Sequence, residues 1–141
     1  MHCTIRSTRL IATLLTLTLL SCGDNGAGDG ENSFCEAMEQ VTTRMEPNTA
    51  PTPSAEVETS FSEVVTLLDQ AERSAPSELS GDVARFATAI DRYVAALAAV
   101  DFDLDALFST PEGLELAQDT SHALTPDIIN HLTGTCGISL G

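Results

Sequence analysis

The sequence predicts an all-α fold, a small bundle of four to five helices stapled by one disulfide, after a cleaved signal peptide. Three segments carry apolar side chains at helical spacing, two Thr-Pro pairs mark further helix starts, and the connections between them are short. Apolar stripes of this kind pack against one another in helical bundles. Removing residues 1–21 from the 141 of the chain leaves 120, enough for one domain.

The N-terminus has the three parts of an export signal in the right order. Arg6 and Arg9 supply positive charge, residues 10–20 form an apolar run, and a small residue precedes Cys22. A helix rises about 1.5 Å per residue and needs roughly 20 apolar residues to cross a bilayer, so this run is too short for an anchor. Residues 1–21 are therefore predicted to be a signal peptide.

The residues Leu19-Leu20-Ser21-Cys22 resemble a bacterial lipobox. The resemblance implies cleavage before Cys22 and attachment of diacylglycerol to its sulfur. It places the mature chain at a bacterial cell membrane, lipid-anchored on the extracytoplasmic face. The alternative is an ordinary secretory signal with a cysteine nearby by chance.

The predicted export also assigns different roles to the four cysteines. Cys3 leaves with the signal and Cys22 carries lipid, so Cys35 and Cys136 remain in a compartment where disulfides persist. Zinc would need more ligands than two distant thiols, and a nucleophilic cysteine would need a nearby base. We therefore expect Cys35 and Cys136 to form a disulfide, and we expect no metal site.

The mature chain is strongly acidic. All 21 acidic residues follow Cys22, against four arginines, a formal charge of −17. Nucleic acids and anionic lipid surfaces bind proteins mainly through Lys and Arg, so nucleic acid is excluded as a partner. Residues 22–32 are rich in glycine, Asp and Asn and are predicted to be a flexible tether.

The folded domain is predicted to span residues 33–141. Its first helix, residues 33–45, starts at a capping box formed by Ser33 and Glu36. Its predicted core face comprises Phe34, Ala37, Met38, Val41 and Met45. Three prolines make residues 47–54 a loop.

Two long helices follow, and each has a continuous apolar stripe. The second helix, residues 55–74, buries Val57, Phe61, Val64, Leu67, Leu68 and Ala71. The third starts near residue 77 or 80, ends near 99, and buries Val83, Phe86, Ala87, Ile90, Tyr93, Val94 and Leu97. Alanines on its opposite face indicate either a helix sandwiched between neighbours or simply high helix propensity.

The C-terminal part is predicted to contain two short helices. Thr110-Pro111 and Thr125-Pro126 each resemble an N-cap followed by proline at the first helical position, which predicts helices over 111–121 and 126–133. Gly134 is placed to end the second of them, before an irregular tail.

One acidic segment has the spacing of a calcium-binding loop. Residues matching positions one, three, five, nine and twelve of an EF-hand are Asp101, Asp103, Asp105, Ser109 and Glu112. Position six requires glycine for a sharp turn, and here it is Ala106. We therefore interpret the segment as a linker whose Asp side chains cap a short helix while Phe102, Leu104, Leu107 and Phe108 pack inward.

Other candidate chemistry is weaker. His122, Asp127 and His131 form a conceivable divalent-metal set, but the spacing has little specificity, and solvated or capping histidines are the preferred interpretation. No nucleophile elbow, phosphate-binding glycine loop or haem-attachment motif occurs in the sequence. We expect no enzyme, no catalytic residues and no cofactor.

The lipobox, the tether, the Phe34-Cys35 pair and the closing residues 134–137 together resemble small actinobacterial exported lipoproteins of uncharacterised function. The resemblance implies a lipid anchor and a disulfide, and no active residues. The expected function is a lipid-anchored binding or interaction module with an unknown protein or small-molecule partner.

The alternative function is a carrier of a small hydrophobic ligand or haem between helices, with Tyr93, His122 or His131 as contacts. A cavity lined by Phe61, Phe86 and Ile90 would favour the carrier. A filled core with an exposed alanine or apolar patch would favour the interaction module.

Overall fold

The computed structural model describes residues 26–45 and 52–140, which contain six α-helices and no strand. They are α1 (Gly26–Met45), α2 (Ser54–Ser74), α3 (Ser80–Ala99), α4 (Leu104–Phe108), α5 (Pro111–Ala123) and α6 (Pro126–Gly134). The predicted all-α bundle is confirmed, with one short helix more than the four to five expected. The predicted signal peptide and Cys22 lie outside the described residues.

Helix α1 begins at Gly26 and not at the predicted cap, Ser33. The part of the predicted tether from Gly26 onward is therefore helical. Once Phe34 and the residues after it are fixed against the core, each residue added in front gains a hydrogen bond at little further cost in nucleation. Asp29 in the first turn is favourable at the positive end of the helix dipole, and Gly30 is half-buried near the end of α2.

Helix α3 lies at the centre of the bundle. It packs against α2, α4, α5 and α6, while α1 packs on the other helix of the central pair, α2. The structure therefore supports the sandwiched arrangement that the alanines of α3 left open. Of the four alanines on the outer face of α3, Ala89 and Ala96 are partly buried, whereas Ala95 and Ala99 are exposed.

The core consists of two clusters. The first joins α1, α2, α3 and α6 through Phe34, Ala37, Met38, Val41, Val64, Leu68, Ala71, Leu79, Val83, Phe86, Ala87, Ile90, Ile128 and Leu132. The second joins α2, α3, α4 and α5 through Val57, Tyr93, Leu97, Leu107 and Leu116. The prediction that Met45 is buried is wrong, because this residue in the last turn of α1 is 37% exposed. Three other predicted core residues are partly buried against the clusters: Phe61, Leu67 and Val94.

The short helices start as the Thr-Pro pairs predicted. The hydroxyl of Thr110 accepts a hydrogen bond from the Gly113 N–H at 3.0 Å, and that of Thr125 accepts one from the Ile128 N–H at 3.4 Å. Helix α6 ends at Gly134, as expected, but the left-handed residue that turns the chain is Gly137, with φ 69°. The Ile138 N–H closes this turn on the Leu132 carbonyl at 2.9 Å.

Candidate functional site

Cys35 in α1 and Cys136 after α6 form a disulfide, with their Cα atoms 5.3 Å apart. The predicted pairing is confirmed. The bond joins positions 101 residues apart and links the first and last helices of the bundle. Both cysteines are half-buried and pack on the first core cluster.

His131 lies beside this disulfide, a contact that was not predicted from the sequence. One ring nitrogen of His131 and the two cysteine Sγ atoms all lie within 4.8 Å of one another. The Nε2 atom of His131 is buried and has no hydrogen-bond partner among the described residues. The preferred interpretation of His131 as solvated or capping is therefore wrong for this residue.

The aromatic ring of Phe34 holds His131 in place. The two ring centroids are 5.7 Å apart at an interplanar angle of 70°, an edge-to-face arrangement. Phe34 is fully buried in α1, next to Cys35. The sequence did contain one signal for this contact. His131 and Cys136 are only five residues apart, one in the last turn of α6 and the other just after it.

The His122, Asp127 and His131 set that was conceivable from the sequence but not favoured does not come together among the described residues. Among the described residues, His122 and Asp127 join no group of three potential metal ligands with His131. His122 is exposed near the C-terminal end of α5, as the solvated interpretation expected. His131 instead lies beside the disulfide, at the edge of the α6 face that packs Ile128 and Leu132 into the core.

An open groove of about 510 Å³ lies between α3 and the segment containing α5. It is lined by Ala84, Arg85, Thr88, Ala89, Arg92, Asp119, His122, Ala123 and Thr125. Its surface is mostly apolar, and five of the lining positions carry alanine or threonine side chains. Two arginines, one Asp and one His provide the polar groups.

Polar contacts fix both helices along the groove. The Thr125 hydroxyl donates to the carboxylate of Asp82 at 3.0 Å, and Arg85 pairs with the same carboxylate. Arg92 of α3 and Asp119 of α5 form an ion pair across the groove at 3.7 Å. Arg85 and Arg92 remain more than half exposed, at 67% and 61% of their side-chain surface.

The acidic segment folds as the linker interpretation expected. The carboxylate of Asp103 caps α4 by accepting a hydrogen bond from the Ala106 N–H at 3.0 Å. Phe102, Leu104 and Leu107 pack on the second core cluster. Phe108 is the exception, because it is 41% exposed, although its ring still lies 6.5 Å from that of Tyr93.

The carboxylates of this segment do not converge on one point. Asp101, Asp105 and Glu112 are exposed, and no group of three potential ligands forms among them in the described ranges. The left-handed residues are Asp101 and Phe102, with φ of 54° and 57°, and not the sixth position of the motif. The chain therefore turns at the start of the segment, where a calcium loop would need its turn in the middle.

The residues proposed to contact a carried ligand lie in different parts of the protein and do not form one binding site. Tyr93 is buried, with its ring 5.5 Å from that of Phe61, and burial raises the pKa of its hydroxyl above the ordinary value. Phe86 and Ile90 are packed in the first core cluster. His122 lines the groove and His131 contacts the disulfide.

Comparison with protein-family models, with curated proteins and with solved structures found no match to this chain. None of the helices in the described ranges has the length and apolar content needed to cross a bilayer. The predicted lipid attachment at Cys22 falls outside those ranges. The site must therefore be interpreted from its own geometry.

Proposed function

We propose that this protein is a lipid-anchored, non-enzymatic binding module of the bacterial cell envelope, attached to the membrane through Cys22. Its binding surface is the groove between α3 and α5. The observation that carries the proposal is this groove, whose floor of small side chains is flanked by two exposed arginines.

The composition of the groove indicates the chemistry of the partner. Arg85 and Arg92 are two of the four arginines that follow Cys22, in a chain that otherwise carries 21 acidic residues. Although each has an Asp partner within the protein, both guanidinium groups are more than half exposed and have further N–H donors, which suits a carboxylate on the partner. The methyl groups of Ala84, Ala89 and Ala123 suit an apolar side chain. The partner is therefore a protein segment with an apolar side chain next to an acidic one.

The packing of the core gives the carrier hypothesis less support. Phe61 and Tyr93 place their rings against each other, and Phe86 and Ile90 contact core residues of neighbouring helices. The residues that would have lined an apolar cavity are thus packed against one another and against neighbouring core residues. A binding surface on the outside of the bundle accounts better for this arrangement.

Photocrosslinking from the groove tests the proposal in cells that produce the full-length chain. A benzophenone amino acid replaces Thr88, an exposed threonine that lines the groove. The matched control is Thr66, an exposed threonine of α2. Both hydroxyls donate to the carbonyl four residues earlier, Thr88 to Ala84 at 2.9 Å and Thr66 to Ser62 at 3.0 Å. We expect one discrete protein adduct from position 88 and none from position 66.

A charge reversal shows whether the adduct depends on the groove. Arg92→Glu should reduce the yield of the adduct by about tenfold, on the order of 1.4 kcal/mol, because attraction of a carboxylate becomes repulsion. Arg73→Glu changes a similarly exposed arginine of α2 and should leave the yield unchanged. Equal yields from both crosslinking positions, no adduct at either, or insensitivity to Arg92→Glu would contradict the proposed binding surface.

A further inference from the structure

The cluster of Cys35, Cys136 and His131 has a composition that a structural disulfide does not require. Two sulfur atoms and an imidazole nitrogen lie within 4.8 Å of one another, at the junction of α1 and α6. All three side chains are half-buried, so they are neither sealed in the core nor free in solvent. Thiolates and imidazoles are the ligands that zinc and other thiophilic metal ions prefer.

The backbone positions the histidine relative to one of the cysteines. The His131 carbonyl oxygen accepts hydrogen bonds from the N–H groups of Thr135 at 2.8 Å and Cys136 at 3.1 Å. These bonds fix the backbone at the end of α6, where the side chains of His131 and Cys136 lie next to each other. Phe34, the neighbour of Cys35, packs edge-on against the imidazole ring. Each of the three residues is therefore held by structure that does not depend on the disulfide alone.

The imidazole of His131 gives a second, independent indication of a ligand. Its Nε2 atom is buried and has no hydrogen-bond partner among the described residues. Buried polar side-chain atoms nearly always have a partner, because leaving one unpaired is costly. A histidine kept in this state next to two sulfur atoms is suited to bind an ion when the sulfurs are available.

We propose that reduction of the Cys35–Cys136 disulfide converts this cluster into a binding site for a thiophilic metal ion, with both thiolates and His131 as ligands. A dithiol reductant supplies two electrons and two protons, its own thiols become a disulfide, and the S–S bond is replaced by two thiols. Metal binding then releases the two thiol protons to solvent. The bound ion rejoins α1 to the end of α6, and so replaces the lost cross-link.

Zinc binding by the full-length chain, extracted from membranes in detergent, tests the proposal. The chain is reduced, freed of reductant and titrated with Zn²⁺ against a chromophoric chelator, and Co²⁺ is used in parallel as an optical probe of thiolate ligation. The reduced wild type should bind one equivalent of Zn²⁺ at this site, and the oxidised protein none. His131→Gln should weaken binding by at least about tenfold, since even outer-shell partners of metal ligands contribute 10–100-fold.

His122→Gln is the matched control, because His122 is exposed and lies in the groove. It should bind Zn²⁺ as the wild type does, and any thiol elsewhere in the chain contributes equally to both variants. Equal affinity of His131→Gln and wild type, no binding by the reduced wild type, or equal binding by the oxidised protein would each overturn the proposal.

Melting temperatures supply a second readout if reduction loosens the fold. Zn²⁺ should raise the melting temperature of the reduced wild type and have a smaller effect on reduced His131→Gln, because a metal that binds the folded form stabilises it. A reduced chain that is unfolded and does not regain its helical circular dichroism with Zn²⁺ would also overturn the proposal.

Discussion

At the scale of single residues, Tyr93 combines burial with a titratable group. It is the one tyrosine of the chain, and the chain contains neither lysine nor tryptophan. Its ring lies in the second core cluster, near the rings of Phe61 and Phe108. Because desolvation disfavours the phenolate, the pKa of Tyr93 is raised above its ordinary value.

We therefore expect stability to fall in the alkaline range. The folded-state pKa of Tyr93 exceeds the unfolded value of about 10, so the stabilising contribution is complete below pH 10 and is lost as the pH rises through the folded pKa. Ultraviolet absorbance of tyrosinate reports this residue alone and should show a midpoint above the ordinary value. Tyr93→Phe should flatten the alkaline loss of the melting temperature. An ordinary midpoint, or an unchanged loss in Tyr93→Phe, would contradict the prediction.

The proposed attachment of the protein to the membrane depends on Cys22. Cys22→Ala should release the protein from the membrane fraction, because diacylglycerol attachment requires its sulfur. Cys3→Ala is the control and should leave the chain membrane-bound, since Cys3 precedes the cleavage site. Fractionation and mass spectrometry of the mature N-terminus measure both. Unchanged membrane partition of Cys22→Ala with an unmodified N-terminus would refute lipid anchoring.

At the scale of secondary-structure elements, the chain makes a sharp turn between α3 and α4. The chain leaves α3 through two left-handed residues, Asp101 and Phe102, a conformation that costs about 1–2 kcal/mol for a residue with a side chain. The Phe102 N–H donates to the Leu97 carbonyl at 2.8 Å, and its ring packs on the second core cluster. These contacts hold the turn in place.

Gly113 in the first turn of α5 lets that helix meet α4. A methyl carbon at Gly113 would overlap the Leu107 carbonyl oxygen and lie 2.9 Å from its Cγ atom. Gly113→Ala should therefore destabilise the protein by about 1–3 kcal/mol, measured by urea unfolding. Gly81→Ala is the control, because nothing lies within 4 Å of the added carbon, and it should be neutral or stabilising by up to about 1 kcal/mol. Equal effects of the two substitutions would show that the α4–α5 contact is not close.

The segment from Asp101 to Glu112 should not bind calcium tightly. One carboxylate, Asp103, caps α4, and the others do not converge. Calorimetric titration at physiological salt should show no site with a dissociation constant at or below about 10 μM, within the sensor range. The control with Asp101→Asn and Asp105→Asn should give the same heats as the wild type. Saturable binding in that range, lost in the double variant, would reverse this conclusion.

At the scale of the whole molecule, the Cys35–Cys136 disulfide holds the two ends of the described domain together. Helix α6 has nine residues, a length that is marginal without tertiary support. Ile128 and Leu132 bury one face of α6, and the disulfide ties its end to α1. Losing the bond frees a loop of 101 residues in the unfolded chain.

Reduction in the presence of a metal chelator should lower the melting temperature by several degrees or more. The expected cost is about 2–5 kcal/mol, typical of a disulfide in a small secreted domain. The variant with Cys35→Ser and Cys136→Ser should melt at the same lower temperature and should not respond to reductant. An unchanged melting temperature after confirmed reduction would refute the structural role of the bond.

Local signals explain which parts of the fold were predictable. The stripes of α2 and α3 and the caps at Thr110 and Thr125 each depend on residues within one or two turns, and all were found where the sequence placed them. The start of α1 was not, because a helix held against the core from Phe34 onward extends toward its N-terminus at little cost in nucleation, and this depends on tertiary packing. Phe108 was misplaced because the direction of α4 depends on its contact with α5.

The sequence by itself determined the helical class and the absence of a calcium turn at Ala106, because periodicity and backbone sterics are local properties. It also determined the cysteine pair, because the predicted export left only two candidates, Cys35 and Cys136. Only the tertiary structure decided that His131 meets the disulfide and not His122, and that the alanines of α3 line a groove with α5. Those neighbours come from helices far apart in the chain. Their contacts follow from how whole apolar faces pack, and the packing energy is spread over the many residues of both core clusters.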